Sequence, residues 1–174
     1  MPSILIRPLR ESDFYDVAEG FFSFFPEAEA DPSFGLSLYR KPPSMEEEHK
    51  WFADLLHDLG AGNLVSVVAE VDSRVVGHCI VRRKMPGTPM DHVGSLGISI
   101  TKEYRGQGIG TMLMKAAIDG SKGKFEAIEL TVLSSNERAI GLYKKFGFRR
   151  VGTLPKALKR AGRYFDDDLM YLEL

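Results

Sequence analysis

The chain has one cysteine, Cys79, in 174 residues. It can form no internal disulfide, so a reducing, cytoplasmic setting is the expectation. No apolar run comes near the roughly 20 residues that span a bilayer. The opening MPSILIRPLR has no long apolar stretch and no small-residue cleavage site, so neither a signal peptide nor a membrane partner is expected. The histidines lack metal-ligand spacing: His49 and His57 are eight residues apart, and His78 and His92 are scattered, so no metal is expected. No string fits a Walker A loop. Neither sign of charge dominates, since the net charge is −1, which gives no reason to expect nucleic acid. The charge is unevenly placed, however. Residues 1–91 hold 9 Lys and Arg against 15 Asp and Glu, and residues 92–174 hold 14 against 9. Two different ligands on one domain would account for this, and so would solvated faces. With 44% hydrophobic and 27% charged residues, disordered and fibrous classes are excluded, and the length suits a single domain over 1–174.

Periodicity sets out the elements. Ile4–Leu9 alternates as a strand. Ser12 or Asp13 caps a helix with Phe14, Val17, Ala18, Phe21 and Phe25 on one face, ending at Phe25-Pro26. Residues 26–43, with four prolines, read as a loop, with a short helical turn near Phe34–Leu38. Ser44 and Glu47 form a capping box for a helix that stops at Gly60-Ala61-Gly62. Leu64–Val71 and Val75–Arg83 are a hairpin around Asp72-Ser73-Arg74. Val93–Ile100 is a strand whose Gly94 and Gly97 suggest a bulge or a close backbone approach. After TKEYRGQGIG, the positions Ile109, Met112, Leu113, Ala116 and Ala117 follow helical spacing. Ala127–Leu133 is a strand, Asn136–Phe146 a helix closed by Gly147, and Phe148–Thr153 and Tyr164–Leu172 are strands. The order β-α-α-β-β-β-α-β-α-β-β is a mixed α/β layer fold.

The most informative stretch is Ile98–Thr111. A strand runs into Arg105-Gly106-Gln107-Gly108-Ile109-Gly110, and a helix begins at once. Glycines let the backbone turn tightly, and the first helical turn offers unpaired N–H groups and partial positive charge. Together they make an anion site suited to phosphate, with the charge of Arg105 beside it. A dinucleotide fingerprint would need its third glycine one residue later, where Thr111 stands. Taken by itself, the loop also suits a tight strand–helix turn.

The pattern Arg-x-x-Gly-x-Gly after a strand resembles the acetyl-CoA motif of the GCN5-related N-acetyltransferases (GNAT). IELTVLSSNERAIGLYKKFGF, Ile128 to Phe148, resembles that family's second signature, and GRYFDDDLMYLEL its last strand. The resemblance covers nearly the whole chain. It implies a GNAT-like mixed, mostly antiparallel sheet flanked by helices on both faces, with splayed central strands. It also implies acetyl-CoA as cosubstrate and direct acetyl transfer to a primary amine: a polyamine, another small amine, or a peptide or protein amine.

Residue by residue, the resemblance implies that Ile98, Ser99 and Ile100 pair their backbone with the pantetheine arm, and that the N–H groups of Arg105, Gly106, Gln107, Gly108, Ile109, Gly110 and Thr111 hold the pyrophosphate. Asn136 stands at the cofactor side of its helix, where it also suits a helix cap. Tyr143 is the implied general acid for the CoA thiolate. Its place on an apolar helical stripe equally suits a core tyrosine. The N–H of Ile98 is the candidate donor to the tetrahedral oxyanion.

The general base is unassigned. Many relatives carry Glu where Ser95 stands, and a serine hydroxyl is too weak a base without a relaying water. His92 has a suitable pKa but alternates onto the opposite face. Asp166 occupies a position often acidic in relatives, and Cys79 reads as core. Glu27, Glu29 and Asp31, near Phe14, Tyr15, Phe21, Phe22, Phe24 and Phe25, suit an ammonium with an alkyl body. A homodimer is a further expectation. A non-catalytic CoA-binding sensor or scaffold is the alternative function, and a nucleotide-binding loop without Mg²⁺ ligands is a third.

Overall fold

The computed structural model describes residues 3–35 and 39–174. Its strands are β1 (Ile4–Pro8), β2 (Leu64–Val71), β3 (Arg74–Arg83), β4 (Val93–Ile100), β5 (Ala127–Leu133), β6 (Arg149–Arg160) and β7 (Arg163–Glu173). Its helices are α1 (Phe14–Phe22), α2 (Phe24–Ala30), α3 (Met45–Gly60), α4 (Ile109–Ser121) and α5 (Glu137–Lys145). The strands form one sheet in the order β1-β2-β3-β4-β5-β7-β6. Every neighbouring pair is antiparallel except β4 with β5.

Strand alternation sends side chains to two faces. One carries Cys79, Val81, Leu96, Ile128, Leu130 and Met170, packed under α4 and α5 with Leu113, Met114 and Tyr143. The other carries Leu64, Val68 and Val75, packed under α1 and α3 with Phe14, Phe52 and Leu55. On that second face lies a buried polar pair, Ser66 Oγ and His78 Nε2, 2.8 Å apart. Arg7 ties the chain down as it enters α1, donating to both oxygens of Asp13 at 2.8 Å and to Glu70 at 2.6 Å.

Most expected boundaries are met, and the departures have physical reasons. Pro26 does not end a helix. The break falls at Ser23, and Pro26 sits in the first turn of α2, where a missing N–H costs nothing. Residues 26–30 are therefore helical rather than loop. The turn expected near Phe34–Leu38 falls partly on 36–38, outside the described residues. The final hairpin is longer than expected, because the stretch after Thr153 continues as β6 to Arg160. β4 has no bulge: its register with β3 runs unbroken from Gly77↔Ile100 to Arg83↔Gly94. Gly94 instead serves close approach, since a Cβ there would strike Val81 and Phe125.

Candidate functional site

β4 and β5 are paired only through Val93↔Ala127, Gly94↔Ile128 and Ser95↔Glu129. Beyond Ser95 the two strands part, leaving a wedge-shaped gap in the middle of the sheet. Thr101 N–H donates to Val76 O and Lys84 N–H to Val93 O, each at 2.9 Å. Odd-numbered residues of β4 therefore turn their backbone groups to β3. Even-numbered residues, Leu96, Ile98 and Ile100, turn theirs to the gap. The Ile98 N–H and C=O thus face it. The Ile100 carbonyl also points that way and accepts from Arg105 Nε at 2.8 Å. Ser99 directs its backbone to β3 and its side chain to the α1–α3 face.

The open end of the gap meets the glycine loop. Gly106 and Gly108 both take left-handed backbone, with φ of 82° and 83°, which glycine adopts without a Cβ clash. Arg105 N–H donates to Lys102 O at 3.2 Å and Thr111 N–H to Gly108 O at 3.0 Å. Among the described residues the N–H groups of Gly106, Gln107, Gly108, Ile109 and Gly110 have no such partner, and they cluster at the start of α4. That is the donor array a phosphate needs. Gly110 is required for a second reason: a Cβ there would lie 3.2 Å from Leu142 and 3.3 Å from Ile100.

Arg105 does not carry its charge to this array. Its guanidinium makes a two-pronged bond to Glu27, at 2.7 and 2.8 Å, and lies over the rings of Phe24 and Phe34. It pins α2 to the end of β4, and it removes Glu27 from the carboxylates available to an acceptor. The cation missed in the sequence is Arg138, an exposed residue in the first turn of α5. Its guanidinium nitrogen lies 3.6 Å from where a Cβ on Gly106 would be. The proximity of two segments this far apart has no local signal in the sequence.

Tyr143 is 7% exposed and shares its core with Cys79, Ile98 and Phe148. Burial, and then the neighbouring Cys79, push its phenol up to about 12, so the hydroxyl stays a proton donor at neutral pH. Burial likewise pushes the Cys79 thiol up, in keeping with an inert core residue. Asn136 caps α5, its Oδ1 accepting from Ala139 N–H at 3.1 Å. Its Nδ2 lies 3.5 Å from where a Cβ on Gly35 would be.

The remaining candidates are dispersed. Ser95 is exposed on the α1–α3 face. His92 precedes β4 at the closed end of the wedge, hydrogen-bonded through Nδ1 to Pro89 O at 3.1 Å. It lines a cavity of about 320 Å³ with Arg83, Asp91 and Lys124. Six residues of strand put it roughly 20 Å from Ile98. Asp31 is held by Ser33, whose N–H and Oγ donate to it at 2.9 and 2.7 Å, and Glu29 is exposed. Among the described residues no cluster of three or more His, Cys, Asp or Glu could hold a metal ion, and no helix is long and apolar enough to cross a membrane.

The acetyltransferase (GNAT) family model matches residues 29–148. The chain is similar to the L-amino acid N-acetyltransferase AaaT of Escherichia coli, at 33% identity over 122 residues, covering 68% of this chain and 72% of that one. It is also similar to an N-alpha-acetyltransferase of Saccharolobus solfataricus, at 34% identity over 131 residues, covering 70% and 73%. Among solved structures, the Salmonella typhimurium protein yncA with its cofactor acetyl-CoA superposes with a TM-score of 0.82 at 17% identity, covering 98% of this chain and 94% of that one. At that identity the likeness is one of fold.

Proposed function

The chain belongs to the acetyltransferase (GNAT) family of acyltransferases, and from that premise we propose that it moves the acetyl group of acetyl-CoA directly to a primary amine in a ternary complex. The observation that carries this reading is the wedge between β4 and β5, opening onto the N–H groups of Gly106 to Gly110. The loop N–H groups hold the pyrophosphate, and Arg138 supplies the positive charge that Arg105 does not. The backbone of Ile98, with that of Ile100, pairs with the pantetheine amides along the gap. The same Ile98 N–H steadies the oxyanion as the amine attacks the thioester carbon. Asn136 orients the start of α5, and Tyr143, on the next two turns, gives its proton to the departing sulfur.

The acceptor is an amine on an amino acid, a small molecule or a peptide. The activities for which the relatives are named, L-amino acid N-acetyltransferase and N-alpha-acetyltransferase, support that range. The α1–α3 face, where Ser95 and Gly97 are exposed beside the gap, is the side from which it enters. The reading extends to a homodimer, supported by the exposed Val151, Leu154 and Tyr164 on the β6–β7 hairpin; sedimentation velocity tests it.

The central test pairs calorimetry with CoA against mass spectrometry of acetyl-CoA reactions with L-amino acids, an alanine-first peptide and spermidine. CoA binding with acetylation of one of these is expected. CoA binding with no turnover of any of them supports a sensor or scaffold instead, and absence of CoA binding overturns the reading.

A further inference from the structure

The face on which the acceptor enters carries several carboxylates, and most are already engaged. Glu129 on β5 stands directly beside Ser95, but Lys84 Nζ lies 2.7 Å from one of its oxygens and 2.8 Å from the other. Glu27 is held by Arg105. His78 is buried against Ser66. Ser95 is three residues from Ile98, roughly 10 Å along an extended strand.

On β7 stand three successive aspartates. Asp168 points to the α4–α5 face, where it accepts from Thr153 Oγ1 at 2.6 Å and Ser134 Oγ at 2.9 Å and meets Arg150 at 3.4 Å. Asp166 accepts from Lys156 N–H at 2.8 Å. Asp167 lies between them on the opposite face. It is half-buried, and among the described residues its carboxyl makes no hydrogen bond or ion pair.

Register places Asp167 relative to the gap. Leu133↔Asp167, Thr131↔Leu169 and Glu129↔Tyr171 are paired, so Asp167 shares the face of Glu129, and through Ser95↔Glu129 the face of Ser95, Gly97 and Ser99. Counting on in steps of two from Ser95↔Glu129, Ser99 comes level with Leu133 and hence with Asp167. Asp167 therefore stands level with Ile98 and Ser99, on the strand beyond β5, which borders the part of the wedge where β4 and β5 have separated. Tyr143 approaches the same gap from the other face of the sheet.

We propose that Asp167 is the general base, binding the acceptor's ammonium group and taking its proton. This rests on the acetyl-transfer reading above. The proton of R–NH₃⁺ passes to the Asp167 carboxylate. The freed nitrogen pair forms the N–C bond at the thioester carbon, and the C–S bond breaks as the oxyanion collapses. Tyr143 gives its proton to the sulfur and regains one from the new amide nitrogen. Asp167 releases its proton to solvent. The net change converts ammonium and acetyl-CoA to amide, CoA thiol and one proton.

The surroundings suit a base. The strands beside Asp167 present Leu133 and Thr131 on one side and Leu154 and Gly152 on the other, none of them charged. Burial, and then the adjacent Asp168, raise its carboxyl above the usual range, which strengthens it as a proton acceptor.

The test is Asp167→Asn, an isosteric change, with Asp167→Glu as the conservative variant and Asp166→Asn as a control. The probe is whichever of L-amino acids, an alanine-first peptide and spermidine the wild type acetylates fastest. For Asp167→Asn, kcat/KM for the probe should fall about 100-fold or more. The acid limb of its pH profile should vanish, with part of the rate recovered as pH rises and free amine accumulates. Asp167→Glu should keep a measurable acid limb, and CoA binding by calorimetry should be unchanged in both. Wild-type rates and an unchanged profile in Asp167→Asn would overturn the assignment of the base alone. Equal losses of CoA affinity and melting temperature would overturn it too, by making the residue structural. A wild type that binds CoA but acetylates no probe would instead overturn the transfer reading on which the proposal rests.

Discussion

Residue type and residue role separate most clearly at Arg105 and Tyr143. The sequence places an arginine at the head of the glycine loop. Glu27, 78 positions away, decides that the guanidinium serves packing instead. Tyr143 takes the core position expected of it, and its proposed role as the acid is what a variant must test. Tyr143→Phe keeps the ring that packs beside Phe148, so the melting temperature should stay near that of wild type. Its kcat should fall on the order of 10²-fold, with KM for acetyl-CoA little changed, because the lost proton acts mainly in the transition state. Steady-state kinetics with chemistry rate-limiting checks this, and an undiminished kcat would leave Tyr143 a core residue.

At the level of the element, the loop and α4 act as one unit, and their glycines do different work. Gly108 needs left-handed backbone, with open space around its absent Cβ, whereas Gly110 needs room against Leu142 and Ile100. Gly108→Asp should cost about 1–2 kcal/mol for the left-handed conformation, a loss of a few degrees in melting temperature. It should also abolish CoA binding, because its carboxylate would stand among the unpaired N–H groups of Gly106 to Gly110. Gly110→Asp should lose CoA binding together with a larger part of its stability, since a charged side chain is forced into an apolar contact. Thermal melts with calorimetric CoA titrations distinguish the two; a Gly108→Asp protein that is folded and still binds CoA would remove the loop from the site. Local chemistry made this element legible in the sequence, as it did the α3 capping box, where Ser44 N–H donates to Glu47 at 2.7 Å and Glu47 N–H to Ser44 at 3.2 Å. It failed at Pro26, because a proline in a first turn and a proline after a last turn have the same neighbours.

Across the whole molecule, buried polar groups set the response to acid. Burial takes His78 from 6.5 down to about 4. Its folded value lies below its unfolded one, so the unfolded chain binds the extra proton, and stability falls as pH drops from 6.5 towards 4. A shift of that size corresponds to roughly 3 kcal/mol. Asp168 is held below the usual carboxylate range, first by Thr153 and then by Ser134 and Arg150. Asp13 is pulled up by burial, but the bonds from Arg7 and Arg10 bring it lower overall. Both contribute stability that is present above the ordinary carboxylate pKa and lost only as pH falls through their depressed values. The melting temperature should therefore be flat above pH 7, slope down from about 6.5, and fall further once the carboxylates protonate. His78→Gln, which keeps a donor for Ser66, should flatten the first slope alone. The same slope in that variant would mean that another group is responsible.

Taken by itself, the sequence determined the order of elements apart from α2, the strand–glycine–helix unit, and the caps at Ser44 and Asn136. Each depends on periodicity or turn chemistry within a dozen neighbouring residues, and such interactions form in much the same way wherever the segment lies. The tertiary structure alone decided that the parting of β4 from β5 begins after Ser95, that Arg105 turns to Glu27 and Arg138 comes to Gly106, and that Asp167 shares the face of Ser95 and stands level with Ile98 and Ser99. Those outcomes depend on pairings between segments distant in the chain, where the partner's position, rather than the residue's own neighbours, sets what each side chain can reach.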